Sequence, residues 1–550
     1  MKKYNKLSIL FSAALIFGCT QEVAELKDPN VPSQPTGSIG ANINVSKFVT
    51  IGNSLAAGLQ SNALFTAGQN ESIGKIIHQQ MVYAGATGEF NQPDINSENG
   101  FSSFIPSTDI PLGRLVLFDP DGAGPRAAGP APAGRPALPA TTCPSPGPAT
   151  EALPAPYNTA LSPQSPAWAY SGDKTKLNNF GVPGITVGEL LVPSSPNPAF
   201  GLYYASRFAS NPGTSTILGD AVAAQPTFFL VEVGNNDVLG YATGGGSNPA
   251  ILTSAADFQT RYGGVIATLL GNLPDAKGVV ANIPYVTSIP FFFTVRWNNI
   301  PMDAGTAGAV NAGFAGYNQV LDGLKDPAFG GAFGTAAQLD ARKVSFSASA
   351  NNPILIHDKT LTDLGPGFDA LTGLGMITPE QRAALEPYRQ ARQTTSTDLI
   401  TLTAGSVLGT CVGGNPQAIN GITVPLGDQY VLVPSEIVEI RDRVDAFNQI
   451  IANIVAGSGD RLALADVNAG LNNLVATQGT MVNGILLTPS ITPPYAGFSE
   501  DGVHPNGRGY AFLANIFIDA INAKFGSTIP KADITKYRGT RTPISPGNSY

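Results

Sequence analysis

Five short runs of β-branched and aromatic residues, each ending in Gly, Asn or Pro, set the tightest limit on how this chain can fold. They are KFVTIGNS (47–54), LNNFGVPG (177–184), PTFFLVEVG (226–234), AKGVVANIPY (276–285) and RLALADVN (461–468). A continuous apolar run of this length has no polar face to offer water, so it suits a strand covered on both sides, as in a parallel sheet. Helix-period patterns lie between or after these runs, over 71–84, 255–271, 435–456 and 507–524. In the last of them Tyr510, Phe512, Leu513, Ile516, Phe517 and Ile521 recur near the helical period. Strands that alternate with helices predict an α/β fold: a three-layer α/β/α domain around a mostly parallel central sheet. The order of the strands in that sheet is not readable from the runs themselves.

Composition narrows the class further. Charged residues make up 13% of the 550, about half the usual share, while 62 Gly and 45 Pro exceed it. That balance points away from coiled coils and helical bundles and towards long ordered loops. The net charge of −8 provides no basic footprint, so no nucleic-acid partner is expected. No internal run reaches the roughly 18 apolar residues of a membrane-spanning helix. Two stretches interrupt the strand–helix rhythm and are expected as insertions: 106–170, dominated by Pro, Ala and Gly over 119–166, and 287–430, with mixed loop and helix signals. The α/β domain would then span 46–530, followed by a frayed polar tail over 531–550.

The chain begins with a basic head (Lys2, Lys3, Lys6), an apolar stretch from Leu7 to Gly18, and then Cys19. Twelve apolar or small residues are too few to span a bilayer but suit the core of a signal peptide. The sequence LIFGC (15–19) resembles a bacterial lipobox. The resemblance implies a signal peptide over 1–18, cleavage before Cys19 and acylation of that cysteine. Thr20 rather than Asp after it implies the outer membrane, with a membrane partner reached through the lipid anchor; the alternative is an ordinary secretory signal with an incidental cysteine. Residues 19–45 then read as a flexible tether. Setting Cys19 aside leaves Cys143 and Cys411, which in an oxidising compartment either form a disulfide or remain two thiols.

The three histidines are not equivalent. His78 falls on the polar side of a helical pattern, and His357 follows a short strand at a surface turn. His504 sits in SEDGVHPNGRGY, three residues after Asp501 and just ahead of the C-terminal helix. A D-x-x-H turn can fold the carboxylate onto imidazole Nδ1, fixing the tautomer and leaving Nε2 as a base. A base oriented in this way implies a nucleophile elsewhere. The first run supplies one: IGNSLAAG (51–58) would expose Ser54 at the carboxyl end of a strand, where open α/β sheets place their sites. No G-x-S-x-G elbow surrounds any plausible serine.

Four separated motifs, GNSLAAG, NNFGVPGIT, GNND and DGVHPNGRGY, together resemble the SGNH, or GDSL-type, serine hydrolase family, in that family's order and across 46–525. The resemblance implies a flavodoxin-like fold and a carboxylic ester hydrolase that works through an acyl-enzyme. It implies Ser54 as nucleophile, His504 as general base and then acid, and Asp501 as its orienter. It further implies an oxyanion hole formed by the Ser54 amide, the Gly184 amide and the Asn236 side chain. Physical reasons agree: Gly184 has no side chain to hold an intermediate off its N–H, and Asn236 offers an uncharged donor. One position departs from the pattern. Asn53 stands where the family usually carries aspartate, which removes a charge and adds donors. The expected substrate is a small-molecule or lipid ester, with no metal and no cofactor. A carbohydrate O-acetylesterase and a non-catalytic lipid- or glycan-binding lipoprotein are the two alternative readings. The aromatic run SIPFFFTVRWNNIP (288–301) either packs the 287–430 insertion onto the body or contributes phenylalanines to an acyl groove.

Overall fold

All five apolar runs become neighbouring strands of one sheet. The computed structural model describes residues 36–104, 110–118, 126–128, 160–194 and 203–541. The strands are β1 (Phe48–Gly52), β2 (Asn179–Gly181), β3 (Phe228–Glu232), β4 (Lys277–Ala281) and β5 (Leu462–Ala465). They are all parallel, in the order β2-β1-β3-β4-β5. The register sets Gly52 level with Gly181 on one side and Glu232 on the other, so three carboxyl ends lie side by side. The chain turns back between β1 and β3, and such a reversal opens the crevice where doubly wound sheets hold their ligands.

Seven helices matter to the site: α1 (Ser54–Ala57), α2 (Ile73–Tyr83), α3 (Asn236–Thr243), α4 (Ala255–Asn272), α5 (Pro434–Gly457), α6 (Val467–Ala476) and α7 (Gly507–Phe525). Because side chains alternate across a strand, each apolar run feeds two cores. Val49, Ile51, Phe229, Val231, Val280 and Leu462 pack towards α4 and α5, where Phe258 stacks on Phe447 with centroids 3.9 Å apart. Phe48, Phe228, Leu230, Val279 and Ala463 point the other way, against Ile76, Ile77 and Met81 of α2 and Tyr510, Phe517 and Ile521 of α7. Three layers result. Side-chain oxygens of Ser72, Ser254 and Asn506 cap α2, α4 and α7, each worth about 1 kcal/mol.

The segment expected as an insertion at 287–430 builds a third hydrophobic cluster, around Phe314, Leu321, Ile356 and Phe368. Two-stranded pairs such as Leu355–His357 with Ala391–Gln393 frame it beside the helix Ala304–Gly323. Within 106–170, Val116–Phe118 pairs antiparallel with Arg126–Ala128. The frayed tail needs correction over its first part. Ala532 and Ile534 are fully buried against α7, and Arg538 forms a two-pronged ion pair with Glu71. Two apolar residues and one paired charge in an otherwise polar stretch are enough to dock it. Cys19, Cys143, the signal segment 1–18 and most of the 19–45 tether lie outside the described residues, while Cys411 sits half-buried at the start of a short hairpin. No helix among the described residues is long and apolar enough to cross a membrane.

Candidate active site

The site forms where β1 and β3 end. Gly52 has no room for a side chain, since a Cβ there would come within 2.0 Å of the Glu232 carbonyl oxygen. The next residue, Asn53, turns its Oδ1 back to accept the Leu55 N–H at 2.8 Å and so caps α1, whose first residue is Ser54. Tyr510 of α7 steadies this turn from below by donating its hydroxyl to the Leu59 carbonyl at 2.6 Å. The same helix is entered through His504-Pro505-Asn506, so α7 ties both halves of the site together.

Asp501 and His504 adopt the turn that their spacing predicts. Asp501 Oδ1 accepts the Val503 and His504 backbone N–H groups, both at 2.8 Å, which closes the turn. Its Oδ2 faces His504 Nδ1 at 2.8 Å and also accepts the Asn62 N–H at 2.6 Å. On the far side of the imidazole, Nε2 lies 2.9 Å from Ser54 Oγ. In the tautomer that gives Nδ1–H to the carboxylate, Nε2 is the acceptor for the Ser54 hydroxyl. Ser54 and Asp501 are each only 7% exposed, so these hydrogen bonds lie in a poorly solvated setting where such bonds are strong. Burial pushes the Asp501 carboxyl up, but His504 and the two backbone donors of its own turn outweigh it and hold the carboxyl below its ordinary range.

Asn236 opens α3 and shares a pocket with Ser54 and His504. Its Nδ2 donates to the Ile185 carbonyl at 2.9 Å, which leaves its second hydrogen for another acceptor. Gly184, itself exposed in an otherwise buried turn after β2, adjoins Ile185 at φ +83°, a conformation that glycine adopts without strain. The structure therefore gathers Ser54, His504 and Asn236 around one pocket, sets Asp501 behind His504, and leaves Gly184 one residue from the carbonyl that Asn236 binds. The other two histidines lie elsewhere: His78 bonds the Gly88 carbonyl, and His357 faces Asp428 at 2.5 Å in the 287–430 segment.

The pocket beside Ser54 holds about 750 Å³, its open mouth included. Its walls are almost entirely apolar and come from Leu55, Leu239, Val286, Ile289, Leu471 and Leu513, among others. The phenylalanines of 291–293 are not among them. Phe291 and Phe292 are buried edge-to-face, and the Phe291 N–H donates to the Gly502 carbonyl at 2.9 Å, so they brace the Asp501 turn from behind. Trp297 packs against the core of the 287–430 segment, and from this aromatic run only Ile289 reaches the pocket.

Three contributors escape a reading of the sequence alone. Asn62 offers a backbone amide to Asp501. Ser61 Oγ binds the neighbouring carboxylate, Glu500, at 2.5 Å. Glu232, at the end of β3, is an acid 3% exposed beneath Asn53 and Asn235. Only the last left a signal, as a charge inside the apolar run FFLVEV. Among the described residues no three His, Cys, Asp or Glu side chains gather as a metal site would require. Compared with family models, curated proteins and solved structures, the chain matches none of them.

Proposed function

We propose that the chain is a carboxylic ester hydrolase of the SGNH type, built on a flavodoxin-like sheet and acting through an acyl-enzyme on Ser54. The observation that carries the reading is the continuous Asp501–His504–Ser54 hydrogen-bonded relay at the mouth of an apolar pocket. Ser54 Oγ attacks the ester carbonyl carbon while His504 Nε2 takes its proton, and Asp501 stabilises the imidazolium that forms. The carbonyl π-electrons move onto oxygen, which faces the amides of Ser54 and Gly184 and the Asn236 side chain. Collapse expels the alkoxide, which leaves as alcohol with the proton from Nε2. Water, deprotonated in turn by His504, then attacks the acyl carbon, releases the acid and restores Ser54. A fluorophosphonate probe is expected to label Ser54 and no other serine; labelling that persists in Ser54→Ala overturns the assignment.

The apolar walls favour an acyl chain over an acetyl group. Each methylene buried there contributes at most about 0.8 kcal/mol, or roughly fourfold in kcat/KM. Esters from butyrate to octanoate are therefore expected to outrun acetate in a p-nitrophenyl series. Val286→Phe, which adds bulk to the wall, is expected to erase most of that preference while acetate turnover changes little. Equal or better rates on acetate would favour a deacetylase instead.

The lipobox-like LIFGC sequence supports attachment of the mature chain to the outer membrane through acylated Cys19. Cys19→Ser is expected to move active protein from the detergent phase to the aqueous phase on Triton X-114 partitioning. Continued partition into detergent refutes the anchor.

A further inference from the structure

Glu232 is the only acidic residue in the five strands of the sheet. Its Oε1 accepts Asn235 Nδ2 at 2.8 Å and faces Asn53 Nδ2 at 3.5 Å, and its buried Oε2 has no partner among the described residues. Both contacts come from neutral amides, not from a cation. Tyr262 of α4 and Tyr510 of α7, both buried, are titratable groups that feel its charge. Burial pushes its carboxyl up to about 7, against which the two asparagine donors pull only weakly. Burying an acid in this way is costly unless its hydrogen bonds do something in return.

The two donors show what is returned. Asn53 directly precedes Ser54, and Asn235 directly precedes Asn236, so one carboxylate oxygen holds the residues just ahead of the candidate nucleophile and the candidate oxyanion donor. The Asn53 backbone N–H also donates to the Glu232 carbonyl at 3.0 Å, which seats the two turns at one level. The side-chain orientation of Asn53 follows from its other bond: because Oδ1 takes the Leu55 N–H, Nδ2 is the end that faces Glu232. An aspartate at 53 would keep the cap on α1 but set two carboxylates against each other without a donor between them.

We propose that Glu232 is a positioning residue that locks the Ser54 turn to the Asn236 turn, and that the amide of Asn53 is its required counterpart. The role rests on the hydrolase reading above, and its partnership makes a reciprocal prediction. Asn53→Asp, Glu232→Gln, the double variant and Glu232→Leu are compared with the wild type at pH 8. The measurements are p-nitrophenyl butyrate kinetics, the rate of fluorophosphonate labelling at Ser54, and Tm.

Asn53→Asp is expected to lower kcat and the labelling rate by at least about 30-fold with KM little changed, as misaligned catalytic groups do. Adding Glu232→Gln is expected to recover about tenfold, a strongly non-additive cycle, since the amide introduced at 232 can donate to the carboxylate introduced at 53. Glu232→Gln, which keeps a carbonyl for both asparagines, is expected to lose several-fold less than Glu232→Leu. The Gln–Leu comparison decides the matter should Asn53→Asp fail to fold. An additive cycle, or losses confined to Tm while kcat and labelling stay unchanged, overturns the positioning role. A wild-type chain that neither hydrolyses esters nor labels refutes the hydrolase reading itself, before any variant is compared.

Discussion

Replacing either Ser54 or His504 with alanine is expected to cut kcat by about 10⁴- to 10⁶-fold, and replacing both should cost little more. The reason lies in the geometry. Among the described residues Ser54 Oγ has one base within reach, His504 Nε2 at 2.9 Å, and that base has one nucleophile to serve. Removing either leaves the other idle, so the two losses overlap rather than multiply. On the hydrolase reading proposed above, what survives is the contribution of the oxyanion donors and the pocket, a smaller share of the rate. Steady-state kinetics on butyrate esters of the two single variants and the double variant check this. A double variant much slower than either single one would mean that the two residues act independently and do not form a relay.

Asp501→Asn is the second large effect, about 10⁴-fold in kcat, with a distinct signature. An amide keeps one oxygen for the Val503 and His504 N–H groups, so the turn survives. Its NH₂ then points at the Asn62 N–H and His504 Nδ1, where only an acceptor belongs. The imidazole is driven to carry its proton on Nε2 and can no longer receive one from Ser54. Donor against donor in a buried setting also costs about 1–3 kcal/mol of stability.

That stability loss should depend on pH. The folded state holds the Asp501 carboxyl below the ordinary aspartate value of 3.8. A depressed pKa stabilises the fold fully above that ordinary value, and the contribution fades as pH falls through the folded one. The gap in unfolding free energy between the wild type and Asp501→Asn is therefore expected to be widest near neutrality and to close in acid. Denaturant titrations at several pH values read it directly. A gap that widens below pH 4 would show that the carboxylate is not the form the fold prefers.

The five strands and four of the main helices were legible because their signal is local. A run such as FFLVEV must be covered on both faces wherever it ends up, and the period of 507–524 commits one side of a helix to a core whatever its neighbours. The order β2-β1-β3-β4-β5 was not legible, because backbone hydrogen bonds between parallel strands carry no record of which strand they join. The tail shows the same limit on a smaller scale. Ala532, Ile534 and Arg538 look like loop residues until α7 and Glu71 are seen beside them.

The site divides along the same line. Asp501 and His504 are three residues apart, so their turn is a matter of local chemistry, and the motif at Ser54 marks a strand end; from the sequence alone these read as a base, its orienter and a nucleophile. Their meeting across 450 residues belongs to the tertiary structure, which also decided between the two readings of the aromatic run, leaving the phenylalanines of 291–293 out of the pocket and setting Phe291 and Phe292 behind the Asp501 turn. In their place the pocket wall gathers α3, α6, α7 and the loop after β4, four segments with no common pattern in sequence. The acid at 232 combines both cases. Its place in an apolar run is visible in the sequence, but only the register that levels Gly52 with Glu232 shows that the carboxylate lies beneath Asn53 and Asn235. Sequence carries those properties that a residue's nearest neighbours along the chain can impose. Contacts between distant segments depend on which apolar faces pack best together, and that is decided when the whole core closes.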